Sequence, residues 1–131
     1  MKETEINQGN TLTTSQQLSL IRPVTEEEIR QTFMSMLSDK SPGTDGYGAG
    51  FYKKAWPIIK DDCVAALQEF FRSRKLLREV NCTNIVLIPK SDCPNDVSDY
   101  RPIALCNYIY KCLTKILCNR LQEVLPMLIR S

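Results

Sequence analysis

Apolar residues recur at helical spacing in three stretches of the chain, and a fourth stretch is a continuous β-branched run. In RPVTEEEIRQTFMSMLSDK, residues 22–40, Ile29, Phe33, Met36 and Leu37 fall on one helical face. Thr25-x-x-Glu28 has the form of a capping box, and Glu26 and Glu27 suit the positive end of the helix dipole. Pro42 disfavours helical backbone at Ser41, so this helix is expected to stop near Lys40. A short helix is expected from Phe51 to Trp56. A second, over PIIKDDCVAALQEFFRSRK, is expected to start at Pro57 and bury Ile59, Cys63, Ala66, Leu67, Phe70 and Phe71. NYIYKCLTKILCNRLQEVLPMLI predicts a long amphipathic helix with Ile109, Leu113, Ile116, Leu117, Leu121 and Val124 in its stripe, ended by Pro126. Lys111, Lys115 and Gln122 fall on its other side.

NIVLIPK predicts a strand through Ile85–Ile88, closed by Pro89. YRPIAL predicts a second short extended stretch, with Pro102 suited to an edge. The loop SDCPNDVSD between them permits an antiparallel hairpin. The fold class is therefore α+β, mostly helical, with one short antiparallel strand pair. Residues 1–22 are polar and lack either period, which reads as a linker or disordered arm preceding an ordered unit over 23–131.

Composition narrows the chemistry. The chain has 131 residues, a 43% hydrophobic fraction and a net charge of +2, which suits one domain or part of one. It contains no histidine, which excludes Ser-His-Asp and Cys-His nucleophile systems. Six cysteines occur at 63, 82, 93, 106, 112 and 118 with no CxxC spacing, so a zinc site is not indicated. Free thiols point to a reducing compartment. The polar opening MKETEINQGN does not resemble a signal peptide, and no apolar run approaches the ~18 residues of a membrane span. The expected setting is intracellular, in nucleus or cytoplasm, without a membrane partner.

Three groups of residues are candidates for a site. If the strands pair, Lys90 at the end of the first lies near Arg101 at the start of the second. A point charge and a planar fork can clamp a polyphosphate, although two strand-end charges also protect an open edge. The turn SPGTDG, with Gly43, Asp45 and Gly46, reads either as a tight connector or as a loop offering amides to an anion. In FYKKAW, Lys53 and Lys54 can track a nucleic-acid backbone while an aromatic ring meets a base; the alternative is buried rings with exposed lysines. Asp61 with Asp62, and Asp96 with Asp99, are better explained by helix capping and turn formation than by Mg²⁺.

These blocks, in this order, resemble the N-terminal part of the reverse transcriptase domain of plant non-LTR (LINE-type) retrotransposons. KSPGTDGYGAGFYKKAW is similar to that family's KSPGPDG block followed by FFKxxW. NIVLIPKSDCPNDVSDYRPIALCNYIYKCLTKILCNRL is similar to its next two blocks, and RPVTEEEIRQTF to the helix before them. Thr44 stands where the family usually has proline. The resemblance implies polymerase fingers and early palm. It implies Lys90 and Arg101 near the triphosphate of an incoming nucleotide, and Gly43, Asp45, Gly46, Lys53 and Lys54 on the template RNA side. The family enzyme uses Mg²⁺ and dNTP, with aspartates in a palm strand and a Tyr-x-Asp-Asp turn; no Tyr-x-Asp-Asp occurs in these residues. The expectation is thus a truncated reverse transcriptase-like protein, inactive alone and binding no cofactor, with RNA or an RNA/DNA hybrid as partner. The alternative is a non-enzymatic RNA-binding or interaction module. An apolar face carrying Leu113, Leu117 and Leu121 is expected to seek another chain.

Overall fold

The computed structural model describes residues 10–129. In chain order these form α1 (Thr14–Ile21), α2 (Glu26–Ser35), α3 (Ala49–Ser73), β1 (Thr83–Pro89), β2 (Tyr100–Cys106) and α4 (Tyr108–Leu128). The α+β class, mostly helical with a two-stranded antiparallel sheet, is as expected from the sequence.

Aromatic packing centres the core on α2. Phe33 is fully buried, with ring centroids 4.8 Å from Trp56 of α3 and 5.2 Å from Tyr108 of α4. The Tyr108 hydroxyl donates to the Phe33 carbonyl at 2.6 Å, so the ring's polar end is satisfied inside the core. Ile29, Leu67, Cys112 and Ile116 complete the buried centre. Burial also acts on the thiols. It pushes Cys63 up to about 11, with the charge of Asp62 adding to the effect, and it raises Cys112 further. Neither is a reactive thiolate near neutral pH. Iodoacetamide applied to the folded protein is expected to label the exposed Cys82, Cys93 and Cys118 and to spare Cys63 and Cys112 until denaturant is added. Equal native labelling of Cys63 and Cys93, read by peptide mass, would contradict this packing.

Several boundaries differ from the sequence reading. Of the polar arm expected over 1–22, residues 1–9 lie outside the described residues, whereas Thr14–Ile21 is helical. Thr13 and Gln16 form a reciprocal capping box there. α2 ends at Ser35 rather than near Lys40, because the Lys53 ammonium donates to the Met36 carbonyl and closes the helix end from α3. The two helices expected around Pro57 are one: Pro57 lies inside α3, where its missing donor is outweighed by the burial of Trp56, Cys63 and Leu67. Ala66 is exposed, contrary to its place in the expected stripe. Likewise Pro126 sits within α4, which continues to Leu128 and closes with the Ile129 amide on the Leu125 carbonyl.

The hairpin stands away from this core. Thr83 pairs with Cys106, and the register runs through Ile88↔Arg101 to Pro89↔Tyr100. The Lys90 amide then donates to the Asp99 carbonyl at 2.7 Å, extending the ladder by one residue. All seven residues of β1 are exposed, Ile85 and Leu87 at 70% and 62%. A lone two-stranded ribbon is marginally stable in water, so this one depends on its attachment through Asn107 to α4.

Candidate nucleic-acid interface

Hairpin register decides where the two cations stand. Side chains directly opposite each other project to the same side of a sheet. Arg101 opposes Ile88, and Lys90, the residue just past β1, continues that face two positions beyond Ile88 through its amide bond to Asp99. Lys90 and Arg101 therefore share a face as diagonal neighbours. Both are exposed. The Lys90 ammonium donates to the Ser98 carbonyl at 2.6 Å, which ties it down to the turn. Arg101 has no ion-pair partner among the described residues.

The turn is held by carboxylates. Asp99 accepts from the Asn95 and Asp96 amides at 2.9 and 3.0 Å, and these bonds hold its carboxyl below the ordinary range. Asp96 accepts from the Val97 amide. Both side chains are thus committed to turn geometry. Among the described residues, no three His, Cys, Asp or Glu side chains gather in a metal-ligating cluster. A Mg²⁺ pair is not fitted by these residues.

The SPGTDG loop docks on Asn107. A Cβ on Gly43 would lie 2.4 Å from the Asn107 amide nitrogen and from its Oδ1. Asn107 Oδ1 accepts from the Thr44 hydroxyl at 3.0 Å and the Asp45 amide at 3.2 Å, while its Nδ2 donates to the Glu79 carbonyl at 2.9 Å. The Gly46 amide donates to the Gly43 carbonyl, and the Tyr47 amide to the Asp45 carboxylate. Gly46 has φ +77°, a left-handed conformation that glycine adopts without penalty. The amides of Asp45, Gly46 and Tyr47 are therefore already used within the chain. Asp45 also accepts from the Tyr52 hydroxyl at 3.4 Å; burial, and then that carboxylate, raise the Tyr52 hydroxyl above its ordinary range.

Lys53 and Lys54 separate. Lys53 is half-buried on the Met36 carbonyl, whereas Lys54 is exposed. Other lysines converge instead. A groove of about 530 Å³ opens between the end of α2, the 40–48 loop, β2 and the start of α4. Ile103, Leu105 and Tyr108 supply apolar lining, Lys40, Lys111 and Lys115 also line it, and among the described residues no carboxylate does. Ile103 and Leu105 lie on the same sheet face as Arg101. At ~3.3 Å per residue, Arg101 is about 13 Å along the strand from Leu105.

Sequence reasoning missed Asn107, Arg120 and this groove. Asn107 immediately precedes an apolar helical run, the position of an N-cap, which was a usable signal. Its side chain nevertheless reaches sideways to the loop and does not cap its own helix. Arg120 sits four residues from both Ile116 and Val124, on the stripe itself. It is buried, and pairs with Glu28 at 2.7 Å.

Compared with known proteins, the chain is similar to a segment of proteins from transposable elements. It is 30% identical over 107 residues to the Transposon TX1 uncharacterized 149 kDa protein of Xenopus laevis, covering 82% of this chain and 8% of that one. It is 29% identical over 101 residues to the putative 115 kDa protein in type-1 retrotransposable element R1DM of Drosophila melanogaster, covering 76% of this chain and 10% of that one. The chain thus spans a tenth or less of the length of these relatives. No family model matches it. No helix among the described residues is long and apolar enough to cross a membrane.

Proposed function

We propose that this chain is the fingers and early-palm region of a reverse transcriptase of plant LINE type, whose parent activity is RNA-directed DNA synthesis. In this reading Lys90 and Arg101 hold the triphosphate of an incoming dNTP. The 43–54 segment lies toward template RNA, with Lys54 as its free cation. The observation that carries the reading is the hairpin register, which supports a two-cation clamp on one exposed face. The similarity to proteins of transposable elements supports a retrotransposon origin. The loop amides are engaged internally, so template contact falls to side chains. Two-metal chemistry is assigned to no residue here, and these 131 residues alone are expected not to extend a primer.

A second reading, an RNA-binding or interaction module without enzymatic role, draws on exposed apolar surface. Ile85 and Leu87 of the hairpin, with Leu117 and Leu121 of α4 at 40% and 47% exposure, suit cover by another chain. Leu113, expected on that face, is instead 4% exposed in the core.

Fluorescent dNTP titrated against wild type and a Lys90→Ala/Arg101→Ala variant separates the two. Removing two charge-assisted phosphate contacts is expected to weaken nucleotide binding about a hundredfold. Equal nucleotide affinity in both proteins would refute the clamp and leave the second reading.

A further inference from the structure

The outer edge of β1 is open and uncharged. The Lys90 amide donates to the Asp99 carbonyl, so these two residues belong to the hydrogen-bonded set of the antiparallel ladder. By alternation along the register, Ile88, Val86 and Asn84 bond to β2, whereas the amides and carbonyls of Leu87, Ile85 and Thr83 point away from it. The sheet has two strands, and among the described residues no turn, loop or cap bonds those three amides. The strand reads TNIVLIP, without a charge and with every residue exposed. Edges of this kind are ordinarily guarded by lysine, proline or a bulge. β2 has such a guard, because Pro102, opposite Leu87, sets its missing donor on the outer edge of that strand. β1 has none before Pro89, its last residue. Ile85 and Leu87, the most exposed apolar residues of the strand, share the sheet face opposite to Lys90 and Arg101.

We propose that β1 is a homodimer interface, pairing antiparallel with β1 of a second copy about a two-fold axis at Val86. Ile85 of each copy then exchanges both backbone bonds with Leu87 of the other, and each Thr83 amide donates to the opposite Pro89 carbonyl. Every outward donor is used, and Pro89 has no amide to leave unpaired. Ile85 against Leu87 gives two apolar cross-strand pairs, and Val86 faces its own copy in the closer, non-hydrogen-bonded kind of pair. The two Lys90 residues stand about 26 Å apart along the strands, so no like charges meet. The product is a four-stranded sheet, past the two-strand size that is marginal in water. Its outer edges are both β2, each blocked by Pro102, so pairing closes at two copies. A foreign strand would meet the same edge, but an uncharged sequence that pairs with itself in full register favours a second copy. The interface leaves the Lys90–Arg101 face open and goes beyond the nucleotide reading; it gives the other chain of the second reading a specific identity.

The test is sedimentation equilibrium of the full chain across a concentration series, without nucleotide or RNA. Wild type is expected to pass from 15.0 kDa to about 30 kDa, twice the mass of one chain. Ile85→Pro removes one outward donor per copy and keeps every bond to β2. It is expected to raise the dimer dissociation constant at least tenfold, for two hydrogen bonds lost per dimer. Val86→Lys and Val86→Glu each set like charges against each other across the axis, and each is expected to be monomeric alone. Mixed in equal amounts they are expected to form the dimer again, which unfolded variants could not do. A wild-type monomer at every concentration would overturn the proposal and leave the edge to a foreign strand. A dimer unmoved by Ile85→Pro, or charge variants that do not associate on mixing, would put the contact elsewhere and overturn it equally. Masses that climb beyond two copies would contradict the block at Pro102 and with it the closed dimer. Because no nucleotide is present, failure here is distinct from failure of the Lys90–Arg101 clamp.

Discussion

Glu28→Ala is expected to be strongly destabilising, costing about 2–3 kcal/mol, less than the loss of one partner from a wholly buried ion pair because the Glu28 side chain is 20% exposed. Arg120 is buried on α4, with its side chain 5% exposed. Its guanidinium donates to both Glu28 carboxylate oxygens at 2.8 and 2.7 Å, and to the carbonyls of Leu20, Arg22 and Pro23. It also lies 5.7 Å from the centroid of Phe71. Alanine at 28 would leave that charge with neutral carbonyls only. Because the same group bridges α1, α2 and α4, its loss is expected to loosen the docking of the whole N-terminal segment. Glu28→Gln keeps an acceptor and most of the shape, so a smaller loss is expected.

The ion pair also predicts a pH dependence. The hydrogen bond from Arg120 holds the Glu28 carboxyl below 4.5. A depressed folded-state value means that the unfolded chain takes up the proton first. The stabilisation is therefore present above the unfolded value of about 4.3 and is lost as pH falls through the lower folded value. Urea melts from pH 6 down to pH 3 are expected to show wild type losing stability in that window more steeply than Glu28→Gln. Parallel curves would contradict the assignment.

Gly43→Ala is the second large effect, about 2–3 kcal/mol, or roughly 10 °C in melting temperature. The cause is close approach. The new Cβ would meet the backbone of Cys106 at 2.5 Å and Asn107 at 2.4 Å, and neither backbone atom is free to rotate away. The loop would have to lift from α4, breaking the Thr44 and Asp45 bonds to Asn107. Gly46→Ala provides the contrast. No atom lies within 4 Å of its added Cβ, and only the φ of +77° opposes it. About 1–2 kcal/mol is expected there, the ordinary penalty for an L-residue in left-handed backbone. A Gly43→Ala protein as stable as wild type in a thermal melt would refute the docking.

SPGTDG has a physical role in the fold: the loop is clipped to the junction between hairpin and α4. The residues suggested the turn but not its receptor. Local signals carried α2, the hairpin and most of α4, because capping, a β-branched run and a 3.6-residue stripe each act within a short window. What depended on distant partners was not legible. Glu28 had the spacing of a capping-box residue, but its carboxylate is drawn to Arg120, more than ninety positions away. Thr25 alone caps α2. Leu18 and Ile21 in α1 are exposed and form no buried stripe; that helix is held by polar bonds such as the Arg120 guanidinium to the Leu20 carbonyl. Pro57 read as a helix start and Pro126 as a stop, yet tertiary packing carried a helix through both. The placement of Lys90 and Arg101 beside each other was legible because the two extended stretches could pair as a hairpin. The Lys40–Lys111–Lys115 groove was not, since it joins residues 35–49 to residues 103–115.

The measurement closest to the functional claim is binding of an RNA/DNA primer–template to the full chain as a function of salt, with and without a matched dNTP and Mg²⁺. Affinity that falls steeply with salt, and that rises when the matched dNTP is present, is expected for a surviving nucleotide site beside a template surface. Weak binding governed by salt alone, indifferent to any dNTP, would contradict it.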